Sequence, residues 1–321
     1  DSGAAQAKTY QVWAQGEARA GNIHQARTLL DKAEACQAGN PAVAHARGQI
    51  EEVNGNYAAA AAAYAMGASV NPTDAFLLQS WARLEAKSGR LDNARTLYRR
   101  AVDANPDNHH VAQAWAVSES EHPDGDVTVA REQFQRASSI APWSVQTWAA
   151  WARFEARAQN NARSIETARA LYARGLDAEA GNVICLIGLA ECESRLGHFA
   201  AAREILSQAK DANPEHWGIV FELAKLEERA GAPANASHYY KRARKMKREA
   251  KSARPRSTGA RGRKSTWDPL EALEREETQS RRSAASSRVS VSAALNNLRT
   301  DERSAGTVGD NDDDENDNDE N

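Results

Sequence analysis

Residues 81–101 read WARLEAKSGRLDNARTLYRRA, and this stretch decides the fold. With Leu77 and Leu78 just before it, Trp81, Leu84 and Glu85 fall at helical spacing, and Gly89 stops the run. Leu91, Ala94, Leu97, Tyr98, Ala101 and Val102 then repeat the i, i+3/i+4, i+7 pattern. The stretch predicts two amphipathic helices, here A and B, joined at a glycine that supplies the left-handed residue a helix C-terminus needs.

The arrangement recurs seven times, as Glu17/Ala26/Leu30/Ala33, Glu51/Ala60/Tyr64/Gly67, Glu85/Ala94/Tyr98/Ala101, Glu119/Ala130/Phe134/Ala137, Glu155/Ala168/Tyr172/Gly175, Glu193/Ala202/Leu206/Ala209 and Glu227/Ala236/Tyr240/Ala243. The anchoring alanine returns after 34, 34, 36, 38, 34 and 34 residues. A period near 34 marks a helical-hairpin solenoid, in which each hairpin hides its apolar face only against its neighbours. Pro41, Pro72, Pro106, Pro142 and Pro214 are expected at helix starts. Gly21, Gly55, Gly89, Gly197 and Gly231 are expected between A and B. The two wide spacings are assigned to longer A–B loops, since each doubling of loop length costs only about 0.6 kcal/mol.

Composition narrows the class. The chain has 321 residues, 41% apolar and only 6% aromatic, which suits an alanine-rich array better than one large core. There is no 18-residue apolar run, so no membrane span is expected. Cys36, Cys185 and Cys192 are too few for a disulfide framework and wrongly spaced for zinc. Of eight histidines only His109–His110 are paired, and adjacent helical residues point apart, so neither a metal nor another cofactor is expected. No phosphate loop, dinucleotide fingerprint, zinc-protease or nucleophile-elbow motif occurs, and the reading is that of a non-enzyme.

Within the units, helix A carries Trp-x-x-x-Glu at Trp13–Glu17, Trp81–Glu85, Trp115–Glu119 and Trp151–Glu155. Helix B carries Ala-Arg at Arg27, Arg95, Arg131, Arg169 and Arg203. Tetratricopeptide (TPR) repeats share the 34-residue period but place an aromatic residue where this chain has Glu. The pattern resembles the half-a-tetratricopeptide (HAT) repeat of RNA-processing proteins, over roughly residues 6–247. Arg47, Leu189 and Leu223 at the Trp position, and Ala61 and Ser237 at the Arg position, depart from it and lie closer to ordinary TPR units. Residues 71–80, NPTDAFLLQS, are similar to a unit of the chloroplast branch of the family, which matures photosystem transcripts. The resemblance implies binding to a 5′ untranslated region, protection from exonucleases and promotion of translation in the chloroplast stroma. A protein-interaction scaffold of a nuclear splicing or 3′-end complex is the alternative. The expected fold is an all-α, right-handed α-solenoid of about seven TPR/HAT-type hairpins over residues 1–250, with a disordered tail over 251–321.

The recurrence of Trp, Glu and Arg in every unit argues for structure, because catalytic groups occur once. The expected role is an ion pair between Glu on A and Arg on B, beneath the Trp. Glu193 and Glu227 belong to the same set. In the TPR register the concave face would present Lys8, Gln11, His45, Gln79, Arg83, His110, Gln113, Gln146, Arg153 and Lys225. Such amides and cations suit single-stranded RNA, through base edges, stacking and phosphates. They also suit a peptide groove, or mere solvation. Other protein partners or self-association stay open.

Charge is segregated. Residues 1–240 balance at −5, residues 241–300 at +11 and residues 301–321 at −9. Repeats without net positive charge argue against strong non-specific nucleic-acid binding by the array itself. A basic arm follows, with twelve Lys/Arg and only Glu249 as an acid over 241–264. Its first part, Lys241, Arg242, Arg244, Lys245, Lys247 and Arg248, continues the last helix. A phosphate-binding arm, a nuclear-localisation-like patch and a solubilising tail all fit it. The acidic run at 310–320 is expected to compete with RNA for that arm, and a short capped helix is expected after Asp268-Pro269.

Overall fold

The computed structural model describes residues 2–159 and 161–253. Among them lie fourteen helices and no strand, paired as seven hairpins: α1 (Ser2–Ala20) with α2 (Ile23–Cys36), α3 (Pro41–Val53) with α4 (Tyr57–Val70), α5 (Ala75–Lys87) with α6 (Leu91–Ala104), α7 (His109–Glu121) with α8 (Val127–Ile140), α9 (Val145–Ala158) with α10 (Ala162–Ala178), α11 (Val183–Arg195) with α12 (Phe199–Ala212), and α13 (Trp217–Arg229) with α14 (Pro233–Ala253). The expected tail, its capped helix and the acidic run lie outside the described residues, apart from 251–253, which end α14.

The five expected turn glycines all take positive φ, between 77° and 89°. The prolines are corrected. Only Pro41 occupies a first helical turn, whereas Pro72, Pro106, Pro142 and Pro214 sit in the turns before their helices. Those helices start three residues after the proline, and at two of them Asp74 and Asn108 cap the helix by accepting from its first free backbone N–H groups. Every turn from one hairpin to the next has four residues, at 37–40, 71–74, 105–108, 141–144, 179–182 and 213–216. The wide spacings divide into two cases. In the fourth hairpin the loop is indeed longer, at 122–126. In the fifth the extra residues lengthen α10 to 17 residues, because Asn161 and Ser164 form a capping box and added helical hydrogen bonds replace loop.

Packing follows the repeat. Each hairpin packs its two helices together, and each B helix meets the next A helix. Successive A helices also touch (α1 with α3, α5 with α7, α9 with α11, α11 with α13), while no B helix packs comparably on the next B helix. The A layer is therefore the more tightly packed one, and it carries the positions that the TPR register assigns to the concave face. Of the seven bulky B residues, Leu30, Tyr64, Tyr98, Phe134 and Leu206 are completely buried, Tyr172 nearly so and Tyr240 half-buried. The small residue beyond them sets the hairpin spacing. A Cβ on Gly67 would run into Leu77 of the next hairpin, and one on Gly175 into Cys185.

Candidate interaction surface

The Trp, Glu and Arg residues build clasps between a B helix and an A helix, and each clasp joins two consecutive hairpins. Each arginine reaches across the four-residue turn to the glutamate of the next hairpin, always 24 residues on. Arg27 grips Glu51 through Nε and Nη2 at 2.7 and 2.6 Å. Arg95 grips Glu119 at 2.8 and 2.9 Å, and Arg131 grips Glu155 at 2.8 Å through both nitrogens. Arg203 holds Glu227, and Arg169 lies 3.6 Å from Glu193. A planar fork matched to a carboxylate gives the pair direction as well as charge. The tryptophan lies beside it: Trp13, Trp81, Trp115 and Trp151 each donate Nε1–H to the Glu one turn on, at 3.1–3.2 Å. Over this indole stacks the bulky B residue of the preceding hairpin, Tyr98 on Trp115 and Phe134 on Trp151.

The electrostatics follow from these contacts. The Arg27 guanidinium holds Glu51 below the usual carboxylate range, and Arg203 does so for Glu227. At Glu119 burial pushes the carboxyl up, but Arg95, the Asp126 amide and the Trp115 indole outweigh it and the net shift is down. Sequence reasoning missed a further donor five residues after the Glu. Asn22, Asn56 and His198 bind Glu17, Glu51 and Glu193 from just beyond the turn glycine. Their signal was a polar residue directly after Gly21, Gly55 and Gly197.

Where helix B lacks its arginine, at Ala61, the neighbour compensates. Glu85 is gripped instead by Arg90 of its own hairpin, through Nε and Nη2. Arg90→Ala should lower the urea midpoint of unfolding, because the largely buried Glu85 loses its guanidinium partner. Adding Ala61→Arg should restore most of that loss while changing the wild type little. Urea denaturation of the four chains checks it, and absence of rescue would mean that the clasp is not transferable.

On the concave face, several expected contact residues tie the A helices to each other. Arg83 meets Glu52 at 3.3 Å, with Lys87 on its other oxygen at 3.7 Å. His45 Nε2 lies 2.9 Å from Ser80 Oγ, and burial holds its imidazole below the usual range. Gln79 donates to the His110 carbonyl. Lys225 sits between Glu191 and Glu222, and Arg229 also approaches Glu191. Glu222, buried and unforeseen, is pushed up by burial against the pull of Lys225. Arg153 donates to the Ala149 carbonyl and is exposed, as are Lys8, His110 and Gln146. Gln11 and Gln113 are half-buried. At one register position, Phe76 and Ile184 are 63% and 58% exposed.

Three family models described as tetratricopeptide repeats match residues 12–74, 75–118 and 161–226. This is a tetratricopeptide-like helical-repeat protein. Its fold is similar to that of a tetratricopeptide repeat protein from Parabacteroides merdae (16% identity, TM-score 0.55, covering 75% of this chain and 93% of that one). Yeast Tom70 is similar over 77% of this chain and 50% of its own (17% identity, TM-score 0.55). The Cut9–Hcn1 hetero-tetramer of the APC/C is similar over 78% and 47% (12% identity, TM-score 0.51). At these identities the likeness is one of fold. No curated protein matches in sequence.

Among the described residues of this tetratricopeptide-like chain the last helix is α14, whose 21 residues include the first part of the basic arm. Lys241, Arg242, Lys245 and Arg248 are exposed there, and Arg244 and Lys247 half-buried. Lys247 covers the Trp217 ring at 5.2 Å, and Lys245 lies 3.8 Å from Glu249. Burial pushes the Cys185 and Cys192 thiols up to about 11 and 12, which keeps them protonated and makes them packing residues. Among the described residues no helix is long and apolar enough to cross a membrane.

Proposed function

We propose that the chain is a non-catalytic scaffold whose concave face holds a polypeptide segment with apolar side chains. The observation that carries this reading is the pairing of concave cations: Arg83 and Lys87 with Glu52, and Lys225 and Arg229 with Glu191. A phosphate chain laid there would have to displace those carboxylates. An apolar side chain meets the exposed Phe76 and Ile184, and free backbone amides meet Gln, His and Glu groups that accept and donate.

The test is selection of peptides from a random displayed library on the whole chain. Selected peptides should lose at least about tenfold in affinity, roughly 1.4 kcal/mol, on Phe76→Ser with Ile184→Ser. Peptides indifferent to both substitutions would place binding elsewhere.

A second reading, RNA binding in transcript processing, stabilisation or translation, is favoured by one feature. Lys241, Lys245 and Arg248 stand one turn apart and exposed on α14. On this reading the phosphates track α14 and the concave candidates Arg83 and Arg153 contribute little. Replacing the α14 trio by alanine should reduce the salt slope of single-stranded RNA binding by about 2, at ~0.7 per phosphate lost. A slope that falls instead with Arg83→Ala and Arg153→Ala would restore the concave face as the RNA track. Residence in the chloroplast, or alternatively the nucleus, is proposed on the HAT resemblance alone.

A further inference from the structure

Three A helices carry a pair of cations at one register, two residues before and two after the clasp glutamate. They are Arg83 and Lys87 on α5, Arg153 and Arg157 on α9, and Lys225 and Arg229 on α13. For two of these pairs the preceding A helix supplies a carboxylate. Glu52 of α3, the residue after its own clasp glutamate, meets Arg83 and Lys87. Glu191 of α11, two residues before its own, meets Lys225 and Arg229. On α7 the same two positions hold Ser120 and Val117. Arg153 and Arg157 are exposed and donate Nε–H to the Ala149 and Arg153 carbonyls. Among the described residues neither pairs with a carboxylate, since Glu155 is held by Arg131 and Trp151, and Glu191 by its own cations. Arg195 of α11 adds a third guanidinium beside them, donating to the Ala156 carbonyl.

We propose that Arg153 and Arg157 form a carboxylate subsite, filled by an aspartate or glutamate side chain within the polypeptide held on the concave face. The inference rests on that reading of the face and adds the chemistry of the occupant. The chain itself shows what completes such a pair, because both filled examples use a carboxylate. A guanidinium fork matches the two oxygens of that group.

The place of the subsite puts the acid inside the segment and not at its end. Phe76 lies two hairpins before Arg153, and Ile184 one hairpin after it. Packed helices stand about 8–10 Å apart and an extended chain advances about 3.3 Å per residue, so one hairpin spans roughly three residues. The occupant therefore carries an apolar residue, an acid roughly six positions along, and a second apolar residue roughly three beyond it, in one chain direction or the other.

Peptides selected from a random displayed library on the whole chain are the probes, together with versions in which the acid is changed to its amide. Arg153→Gln with Arg157→Gln should weaken the acid-bearing peptides about tenfold and leave the amide versions unchanged. Both arginines are exposed, so the melting temperature should hold. A second variant approaches from the other side. Ser120→Glu puts a carboxylate where α3 has Glu52, and by occupying the arginines it should weaken the acid-bearing peptides to a like degree. Peptides that depend on Phe76 and Ile184 but carry no acid, or that ignore both variants, overturn the subsite and leave the peptide reading standing. Failure to select any peptide removes that reading and the subsite with it. Loss of single-stranded RNA binding on Arg153→Gln with Arg157→Gln, at unchanged peptide affinity, would assign the pair to phosphate and overturn the proposal as well.

Discussion

Phe134→Ala should destabilise the array by about 3–5 kcal/mol, the range for truncating a fully buried ring. Phe134 is 0% exposed. It lies parallel to Trp151 with ring centroids 6.1 Å apart and tilted against Phe154 at 5.9 Å, so it belongs to one hairpin and stacks on the next. The cavity would open at a junction, and nearest-neighbour coupling then predicts an uneven loss. Amide exchange should quicken most in α7 to α10 and least in α1 to α4. A loss below 1 kcal/mol, or one spread evenly along the chain, would contradict a stack of locally coupled hairpins.

Arg95→Ala should cost about 3 kcal/mol at neutral pH, more than any other clasp arginine. Its partner is the most enclosed of the glutamates: the Glu119 side chain is 0% exposed, against 24% for Arg95. Removing the arginine strands a buried charge, whereas removing the glutamate leaves a cation that can turn to water. The pH dependence fixes the sign. Glu119 is held below its unfolded value, so its contribution is complete above about pH 4.3 and fades as pH falls through the folded value. The deficit of Arg95→Ala should therefore shrink on acidification, as the wild type loses the contribution the variant already lacks. Urea midpoints of both chains from pH 7 to pH 3 measure it. A deficit constant across that range would assign the cost to packing by the arginine stem.

The repeat was legible because it is written in residue size. Alanine or glycine where backbones meet and Tyr, Phe or Leu between them leave a period that survives even where Arg47 or Leu189 replaces the tryptophan. The partner of each arginine was not legible. Glu17 lies nearer to Arg27 in sequence than Glu51 does, and only the folded turn shows that the side chain points forward, out of its own hairpin. The concave positions were found by register, yet their state was hidden. Arg83 looks free in one dimension and meets Glu52 only when α3 and α5 lie side by side. Glu222 could not be singled out, since nothing local in the sequence distinguishes it from Glu228, the exposed acid of the same helix.

The constant separation of 24 residues has a consequence for how this molecule can be altered. Both partners of a clasp flank the turn between hairpins, so a residue added at 105–108 or 141–144 would pull Arg95 or Arg131 out of reach of its glutamate. The loop inside a hairpin lies beyond that measured span, and the chain already varies it from two residues at 21–22 to five at 122–126. One rim of the molecule is thus a fixed gauge and the other a looser margin, where an insertion displaces only the donor that follows the turn glycine, such as Asn22, Asn56 or His198, and leaves the spacing of the rods intact.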